Sequence, residues 1–362
     1  MIEPSRRCWG IWNYVALWLS DSINIGTWMD ISAIIGGDSG MSWWEAWLCI
    51  WIGYTIIAVF ICISGKTGAI YNISFPVIGR ASFGIFGSFW PVLNRGVMAC
   101  VWYGVQAWID GQCVVICIRA IIPLYYYIRN THPISFGTNT RDFIGFMIFW
   151  SLSNIGPWFP IQKMRHLFTV KAIIVPIAGI LFFIWVVVAA KDNTPPSGTR
   201  VGVFCISLSF CLAQLGVNIA ANSISAGCDL TAICPKDLNI RRSAYTGWAV
   251  IGLCICPWKS LSNSPSFLSY LSPYSTFVSS IAGVMFSDYY FVRRQYFDTN
   301  ELYSASSKGL YYYTYGIHWR AYVACIAGIL INVFGFAGAV GAHVTSFVTK
   351  IYQLNFFSGD YY

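Results

Sequence analysis

Charged residues are scarce in this sequence. Only 10% of the 362 residues are Asp, Glu, Lys or Arg, whereas a soluble globular domain carries about 25%. Apolar residues of the set AVILMFWYC make up 57%, and the mean hydropathy is +0.59. A chain of this composition has too few polar side chains to cover a soluble fold, so a soluble enzyme is excluded and a membrane protein is expected.

Histidine and closely paired cysteines, the usual marks of a metal centre, are also rare. There are four His, far apart, and the 13 Cys include no C-x-x-C pair, so the spacing supports neither a metal site nor a disulfide framework. No Ser/His/Asp or paired-carboxylate pattern indicates an enzyme. The 22 basic residues are scattered singly or in pairs, which argues against nucleic acid as a partner. We expect no enzymatic activity, no metal and no organic cofactor.

Long apolar runs occupy most of the chain instead. About 20 mainly apolar residues cross a bilayer, and nine segments meet this test: 13–36, 45–64, 96–122, 142–160, 167–190, 201–226, 244–263, 268–291 and 320–341. With a cytosolic N-terminus, 15 basic residues fall on the inside, Lys171 among them, and 7 on the outside, as the positive-inside rule requires. The sequence predicts an all-α polytopic helix bundle in the lipid bilayer, with residues 1–362 as one transmembrane domain.

Two of these segments have polar centres. The first contains Asp21 and Asn24, and the sixth contains Gln214, Asn218 and Asn222. Secondary transporters place substrate and coupling ions at interrupted helices near the middle of the membrane. The two segments therefore indicate a binding site rather than a passive anchor.

The third segment carries a side-chain pair suited to a flat ligand. Trp102 and Gln106 are four residues apart and share one helical face. An indole offers a stacking surface, and a carboxamide offers one acceptor and two donors, which together suit a planar heterocycle with amide or imide edges. The alternative is a packing Trp beside a Gln bonded to a neighbouring helix.

The run 102–108, Trp-Tyr-Gly-Val-Gln-Ala-Trp, resembles the third helix of the nucleobase–cation symporter family, and most closely that of its fungal uracil, uridine and allantoin permeases. Further matching stretches follow in family order at 12–14, 24–28, 42–44, 73–76, 213–216, 221–223, 235–236, 255–258 and 287–294. The resemblance implies the five-plus-five inverted-repeat transporter fold. It also implies import of a nucleobase, nucleoside or ureide across the plasma membrane.

The resemblance also assigns substrate-binding roles. Trp102 matches the residue that stacks on the substrate ring, and Gln106 the carboxamide that bonds the ring edge. Asn24 matches the amide position of the first helix. Asn222 matches the substrate-contacting Asn of the eighth helix, with Asn218 as second choice. For Asn24 and Asn218, capping of broken helices is the open alternative.

The coupling ion follows from the same resemblance. Sodium-coupled members use hydroxyl side chains of the eighth helix, and the matching positions here, Gly216 and Val217, have no side-chain oxygen. Proton coupling is therefore expected rather than sodium coupling. Asp21 is a candidate proton carrier, because an acid at membrane depth is costly and usually functional; the alternative is that it bonds the broken first helix. Asp110 is the second candidate. The resemblance implies a Gly at this position in the fungal members, so the alternative is that Asp110 reflects relaxed selection.

The chain departs from the family in length. Residues 1–190 match helices one to five and residues 199–341 match helices eight to eleven, with 342–362 as a shortened tail. Counterparts of helices six, seven and twelve are expected to be absent, and the Asn-x-Pro-Asp-Phe-x-Arg motif of helix six does not occur. The prediction is a proton-coupled permease. Its rival is a transport-incompetent paralogue, or an incomplete gene model, with no activity.

Overall fold

The structure is a computed structural model that describes residues 7–26, 28, 42–191, 199–245, 251–262, 274–339 and 342–353. Regular structure in these ranges is helical, apart from one isolated bridge between Thr314 and Ile317. The prediction of an all-α bundle is confirmed.

The α-helices are numbered here in chain order. They are α1 Ile11–Ser22, α2 Trp43–Tyr71, α3 Phe75–Phe83, α4 Phe89–Ile121, α5 Thr140–Ser153, α6 Ile161–Lys191, α7 Arg200–Val217, α8 Ile224–Ile233, α9 Ile240–Ser243, α10 Ile251–Cys254, α11 Pro257–Ser262, α12 Tyr274–Ser287, α13 Trp319–Ala339 and α14 Ser346–Gln353. π-Helical turns follow α7 at Asn218–Ser223 and α12 at Asp288–Val292. Short 3-10 helices lie at Pro123–Tyr127, Ile134–Phe136, Gly156–Trp158 and Glu301–Tyr303.

Five of the described helical stretches are long and apolar enough to cross a membrane. They are Trp43–Tyr71, Phe89–Ile121, Gln162–Ala189, Arg200–Ile233 and Trp319–Gly338. Each overlaps one of the nine predicted segments, and the helix α3 was not predicted. The predicted span 244–263 is wrong as one continuous helix over its described part. There α10 ends at Cys254, Cys256 has a positive φ of 51°, and α11 restarts at Pro257, which has no N–H to continue a helix.

The first helix is interrupted where its polar residues predicted a break. Helix α1 ends at Ser22, and Ile23 leaves the helical conformation with φ −95° and ψ 90°. The Asn24 Nδ2 donates to the backbone carbonyl of Asp21 at 2.7 Å, so a carbonyl freed by the break is satisfied. Residues 29–36 of the predicted segment lie outside the described part of the chain.

Helix α4 is the centre of the bundle and packs against α5, α7 and α8. Its crossing with α5 depends on two glycines. A Cβ at Gly145 would lie 2.6 Å from the carbonyl oxygen of Gly111, and a Cβ at Gly111 would lie 2.6 Å from the Cα of Phe146. Small residues at such crossings let helix backbones approach closely in a membrane, and this approach sets the position of the α4 side chains.

We expect Gly145→Val to lower the stability of the folded chain by about 1–3 kcal/mol or more, because the added side chain overpacks the α4–α5 crossing. The measurement is thermal unfolding of the purified protein in detergent. The matched control is Gly65→Val on α2, where an added Cβ meets nothing within 4 Å. Equal melting temperatures for the two variants would contradict this crossing.

Helix α3 and the segment 293–318 form a compact cap on the end of the bundle that the charge distribution places in the cytosol. The Arg293 guanidinium bonds both carboxylate oxygens of Asp288 at 3.0 and 3.1 Å, and Asp288 also accepts from Ser82 Oγ at 3.0 Å. The Tyr313 hydroxyl accepts from Arg293 and donates to the carbonyl of Ala81 at 2.5 Å. Burial raises the pKa of Tyr313 to about 12, so the phenol remains a neutral donor at physiological pH.

Candidate functional site

The π-helical turn at Asn218–Ser223 positions two of the predicted binding residues. One extra residue per turn displaces the backbone here, and such turns are frequent at functional sites. The Ser223 Oγ donates to the carbonyl of Asn218 at 3.0 Å, which satisfies a group left by the irregular turn. The Asn218 and Asn222 side chains are both buried and lie against α4.

A chain of amide hydrogen bonds joins this turn to α4. The Asn218 Nδ2 donates to the backbone carbonyl of Tyr103 at 3.3 Å, and the Asn218 Oδ1 accepts from Asn222 Nδ2 at 2.9 Å. The same Asn222 Nδ2 donates to Gln106 Oε1 at 3.0 Å. The structure therefore brings Gln106 together with Asn218 and Asn222, which lie more than 100 positions later in the chain.

Trp102 lies one helical turn before Gln106 on α4. Its side chain is 36% exposed, although it belongs to the helix at the centre of the bundle. Within the described residues, neither Gln106 Nε2 nor Asn222 Oδ1 forms a hydrogen bond. The Gln106 Nε2 donor and the Asn222 Oδ1 acceptor therefore remain free on neighbouring amides. Gln106 lies one helical turn from the partly exposed indole of Trp102, and Asn222 is bonded to Gln106.

Asn24 lies at the break after the first helix. Its hydrogen bond to the Asp21 carbonyl is the helix-capping role that the sequence left as the alternative. A direct substrate contact by Asn24 stays a prediction.

Asp110 and Lys171 are buried ionisable side chains near Asp21. Both are 0% exposed, and within the described part of the chain neither Asp110 carboxyl oxygen nor Lys171 Nζ has a hydrogen-bond partner. Lys171 lies close enough to both Asp21 and Asp110 for an electrostatic interaction with each.

Lys171 is the residue that sequence reasoning missed, since it was counted among the inside loop charges. The structure places it within α6 and inside the bundle, so the inside count falls from 15 to 14. Its position after an apolar run, Leu167-Phe168-Thr169-Val170, was the available signal, because a loop lysine is normally flanked by polar residues.

The Lys171 side chain covers Gly216 on α7. A Cβ at Gly216 would lie 2.7 Å from the Lys171 Cδ and 3.2 Å from its Nζ. Any larger residue at Gly216 would overlap the lysine. The lysine side chain therefore occupies the space beside Gly216, one of the two positions at which the sequence lacked the hydroxyls expected of a sodium site.

Comparisons with known proteins agree with these features. The sequence profile "Permease for cytosine/purines, uracil, thiamine, allantoin" matches residues 1–195 and 189–359. An uncharacterised permease of Schizosaccharomyces pombe is 41% identical over 95% of this chain and 74% of its own length. The uridine permease of Saccharomyces cerevisiae is 35% identical over 99% of this chain and 71% of its own length.

The same alignments reveal an internal gap. The alignment with the uridine permease is 459 positions long. This chain contributes about 358 residues to it, which is 99% of its 362. About 100 positions, 459 less 358, therefore have no counterpart here. The profile match divides at residues 189–195, which places the main break between α6 and α7, where helices six and seven were expected to be absent.

The fold is similar to that of a solved transporter. The structure of Mhp1, a nucleobase-cation-symport-1 family transporter in a closed conformation with bromovinylhydantoin bound, superposes with a TM-score of 0.71 at 17% identity, over 99% of this chain and 92% of that chain. At this identity the likeness concerns the fold. Together with the profile and the relatives, it shows that the chain is a multi-pass membrane protein and belongs to the permease family for cytosine/purines, uracil, thiamine and allantoin.

Proposed function

We propose that this chain binds a planar nucleobase-like compound, uracil or a related pyrimidine, purine derivative or ureide, and imports it together with a proton across the plasma membrane. The observation that carries the proposal is the pair of free amide groups, Gln106 Nε2 and Asn222 Oδ1, beside the partly exposed ring of Trp102.

The chemistry of such ligands matches this pair. A cyclic imide or ureide presents an N–H next to a C=O, so its carbonyl can accept from Gln106 while its N–H donates to Asn222. The ring can stack on the indole of Trp102, and base–aromatic stacking contributes about 1–3 kcal/mol. Asn218 holds Asn222 in place through its own hydrogen bonds. The hydantoin bound to Mhp1 and the uridine transported by the yeast relative support this ligand class.

The coupling ion proposed is the proton. Sodium needs several oxygen ligands, whereas the space beside Gly216 holds the Lys171 ammonium. Asp21 and Asp110 are the candidate proton carriers, since each lies close enough to interact electrostatically with the Lys171 side chain. Protonation of one carboxylate would leave one negative and one positive group, a neutral cluster.

Uptake measurements test the transport proposal. Cells that lack their own permeases and express this chain at the surface should accumulate radiolabelled uracil, uridine or allantoin above vector controls. A protonophore should abolish the uptake, and replacement of sodium by choline should leave it unchanged. Surface expression without uptake of any of the three compounds would contradict proton-coupled import.

Binding without transport is the second candidate, and the internal gap of about 100 positions favours it. Inverted repeats support alternating access in secondary transporters, and loss of two helices removes part of one repeat. The purified chain would then bind ligand but show no uptake. Sequencing the transcript across codons 191–198 separates a real deletion from an incomplete gene model, because retained coding sequence for the helix-six motif would identify the latter.

A further inference from the structure

An apolar groove lies between α4, α6 and α7, away from Trp102 and the amide chain. Its volume is about 520 Å³. Leu181, Phe182 and Trp185 line it from α6, and Ile206 and Phe210 line it from α7. Such a lining accepts hydrocarbon and provides few partners for a polar ligand.

A second cavity of about 340 Å³ continues from one end of this groove. The two cavities share Ile116 and Val203 in their walls. The second cavity is lined by two cationic side chains, Arg119 and Arg200, together with Tyr126. The apolar groove therefore leads directly to a positively charged pocket.

The two arginines are available to an anion. Both are exposed, and within the described part of the chain neither forms an ion pair. The Arg119 guanidinium lies over the ring of Tyr126, 4.7 Å from its centroid, and Arg141 approaches the same ring at 5.4 Å. The neighbouring acid, Asp142, is already bound to Arg141 at 3.1 Å.

The pocket lies at a membrane boundary. Arg119 is in the last turn of α4, and Arg200 is the first residue of α7, so both are at the ends of spanning helices. The predicted topology places both on the outer side. The groove extends from the two arginines along spanning helices. The cavity is therefore complementary to a lipid, which has a charged headgroup at the interface and apolar chains in the hydrocarbon.

The groove lies beside the internal gap. Its walls α6 and α7 are joined here by residues 192–198 alone, whereas the aligned relatives carry about 100 additional positions at or near this junction. Thr199 at the junction and Trp185 near the end of α6 both line the groove. The open groove therefore belongs to the region where this chain differs most from its relatives.

We propose that the groove binds one acyl chain of an anionic phospholipid, with Arg119 and Arg200 holding the phosphate. Arginine pairs well with phosphate because its planar fork donates two parallel hydrogen bonds. Basic pockets between transmembrane helices bind anionic lipid headgroups in this way. The site is separate from the substrate residues and does not depend on the compound that the chain carries.

Native mass spectrometry of the purified full chain tests the charge. In equal mixtures of dioleoyl phosphatidylglycerol and dioleoyl phosphatidylcholine, the chain should retain one phosphatidylglycerol with a preference of about tenfold or more. Arg119→Ala/Arg200→Ala should remove this preference, and Arg129→Ala, an exposed arginine outside both cavities, should leave it intact. Equal retention of the two lipids by the unaltered chain, or an unchanged preference in the double variant, would overturn the proposal.

A second variant tests the groove. Cys205 lines it and is exposed, so Cys205→Trp should fill the space and reduce retention of phosphatidylglycerol by about tenfold without moving the arginines. Glycerol phosphate, which has the headgroup charge but no acyl chain, should not displace the lipid. Displacement by glycerol phosphate, or full retention by Cys205→Trp, would show that the acyl chain does not occupy the groove.

Discussion

Replacement of Trp102 by alanine is expected to weaken ligand binding by about 10–100-fold and to remove measurable uptake. The estimate follows from the stacking contribution of about 1–3 kcal/mol per base, because every 1.4 kcal/mol is a tenfold change in affinity. The ring is 36% exposed, so its removal does not empty a packed core. The free amide pair of Gln106 and Asn222 would remain, and residual weak binding is expected from it.

Equilibrium binding of radiolabelled uracil, uridine and allantoin to the purified chain is the measurement. Trp102→Phe should retain part of the affinity, since a phenyl ring still stacks. Trp90→Ala is the matched control, because Trp90 is an exposed Trp of the same helix more than three turns away. Unchanged affinity in Trp102→Ala would assign Trp102 to packing, the alternative that its spacing left open.

Replacement of Lys171 by methionine is expected to lower the stability of the folded chain by at most about 3–5 kcal/mol, the cost of leaving an ionised Asp110 without its neighbour. Methionine keeps most of the side-chain volume over Gly216 but removes the ammonium. Asp110 is then a fully buried carboxylate with no hydrogen-bond partner and no nearby positive charge to offset it. Removal of one member of a buried charge pair carries a penalty of this size.

The double variant Lys171→Met/Asp110→Asn separates charge from packing. It removes the unpaired carboxylate, so we expect it to recover much of the lost stability, a non-additivity that reports direct coupling. Thermal unfolding in detergent measures Lys171→Met, Asp110→Asn and the double variant. Lys163→Met, an exposed lysine near the start of the same helix, should unfold like the unaltered chain. Strict additivity of the two changes would mean that Lys171 and Asp110 do not interact.

If the chain transports, the single variants Asp110→Asn and Asp21→Asn test which carboxyl group carries the proton. Asp110→Asn should retain proton-driven uptake if Asp21 is the carrier, whereas Asp21→Asn should then abolish accumulation against a gradient. The reverse pattern would assign the proton to Asp110. Either outcome distinguishes the two candidates that the sequence could only name.

The sequence predicted the elements that depend on local composition. Apolar runs long enough to span the bilayer identify the spanning helices, because backbone groups in hydrocarbon must be satisfied within a helix. The break after Ser22 was visible in the polar residues around Asp21. Helix α3 and the break at Cys256 were not visible, since both depend on contacts with distant segments rather than on hydrophobic length.

The site shows the same division. The i, i+4 spacing put Trp102 and Gln106 on one face of a helix, and the resemblance supplied Asn218 and Asn222. Only the fold could show that an Asn222 amide bonds Gln106, because the π-helical turn shifts the register of the amides. Asn24 could be named as a candidate, but its bond to the Asp21 carbonyl depends on how the broken helix turns.

What the sequence alone determined is a multi-pass helical membrane protein of the permease family, with a specific internal loss. Hydrophobic length, charge bias and local motifs depend on residues that are neighbours in the chain, so they can be predicted from the sequence. The tertiary structure decided that Lys171 lies inside the bundle beside Gly216, that the amides of the π-helical turn and α4 form one chain, and that an apolar groove between α4, α6 and α7 ends at Arg119 and Arg200. These features arise from side chains on different helices, and only packing brings them into contact.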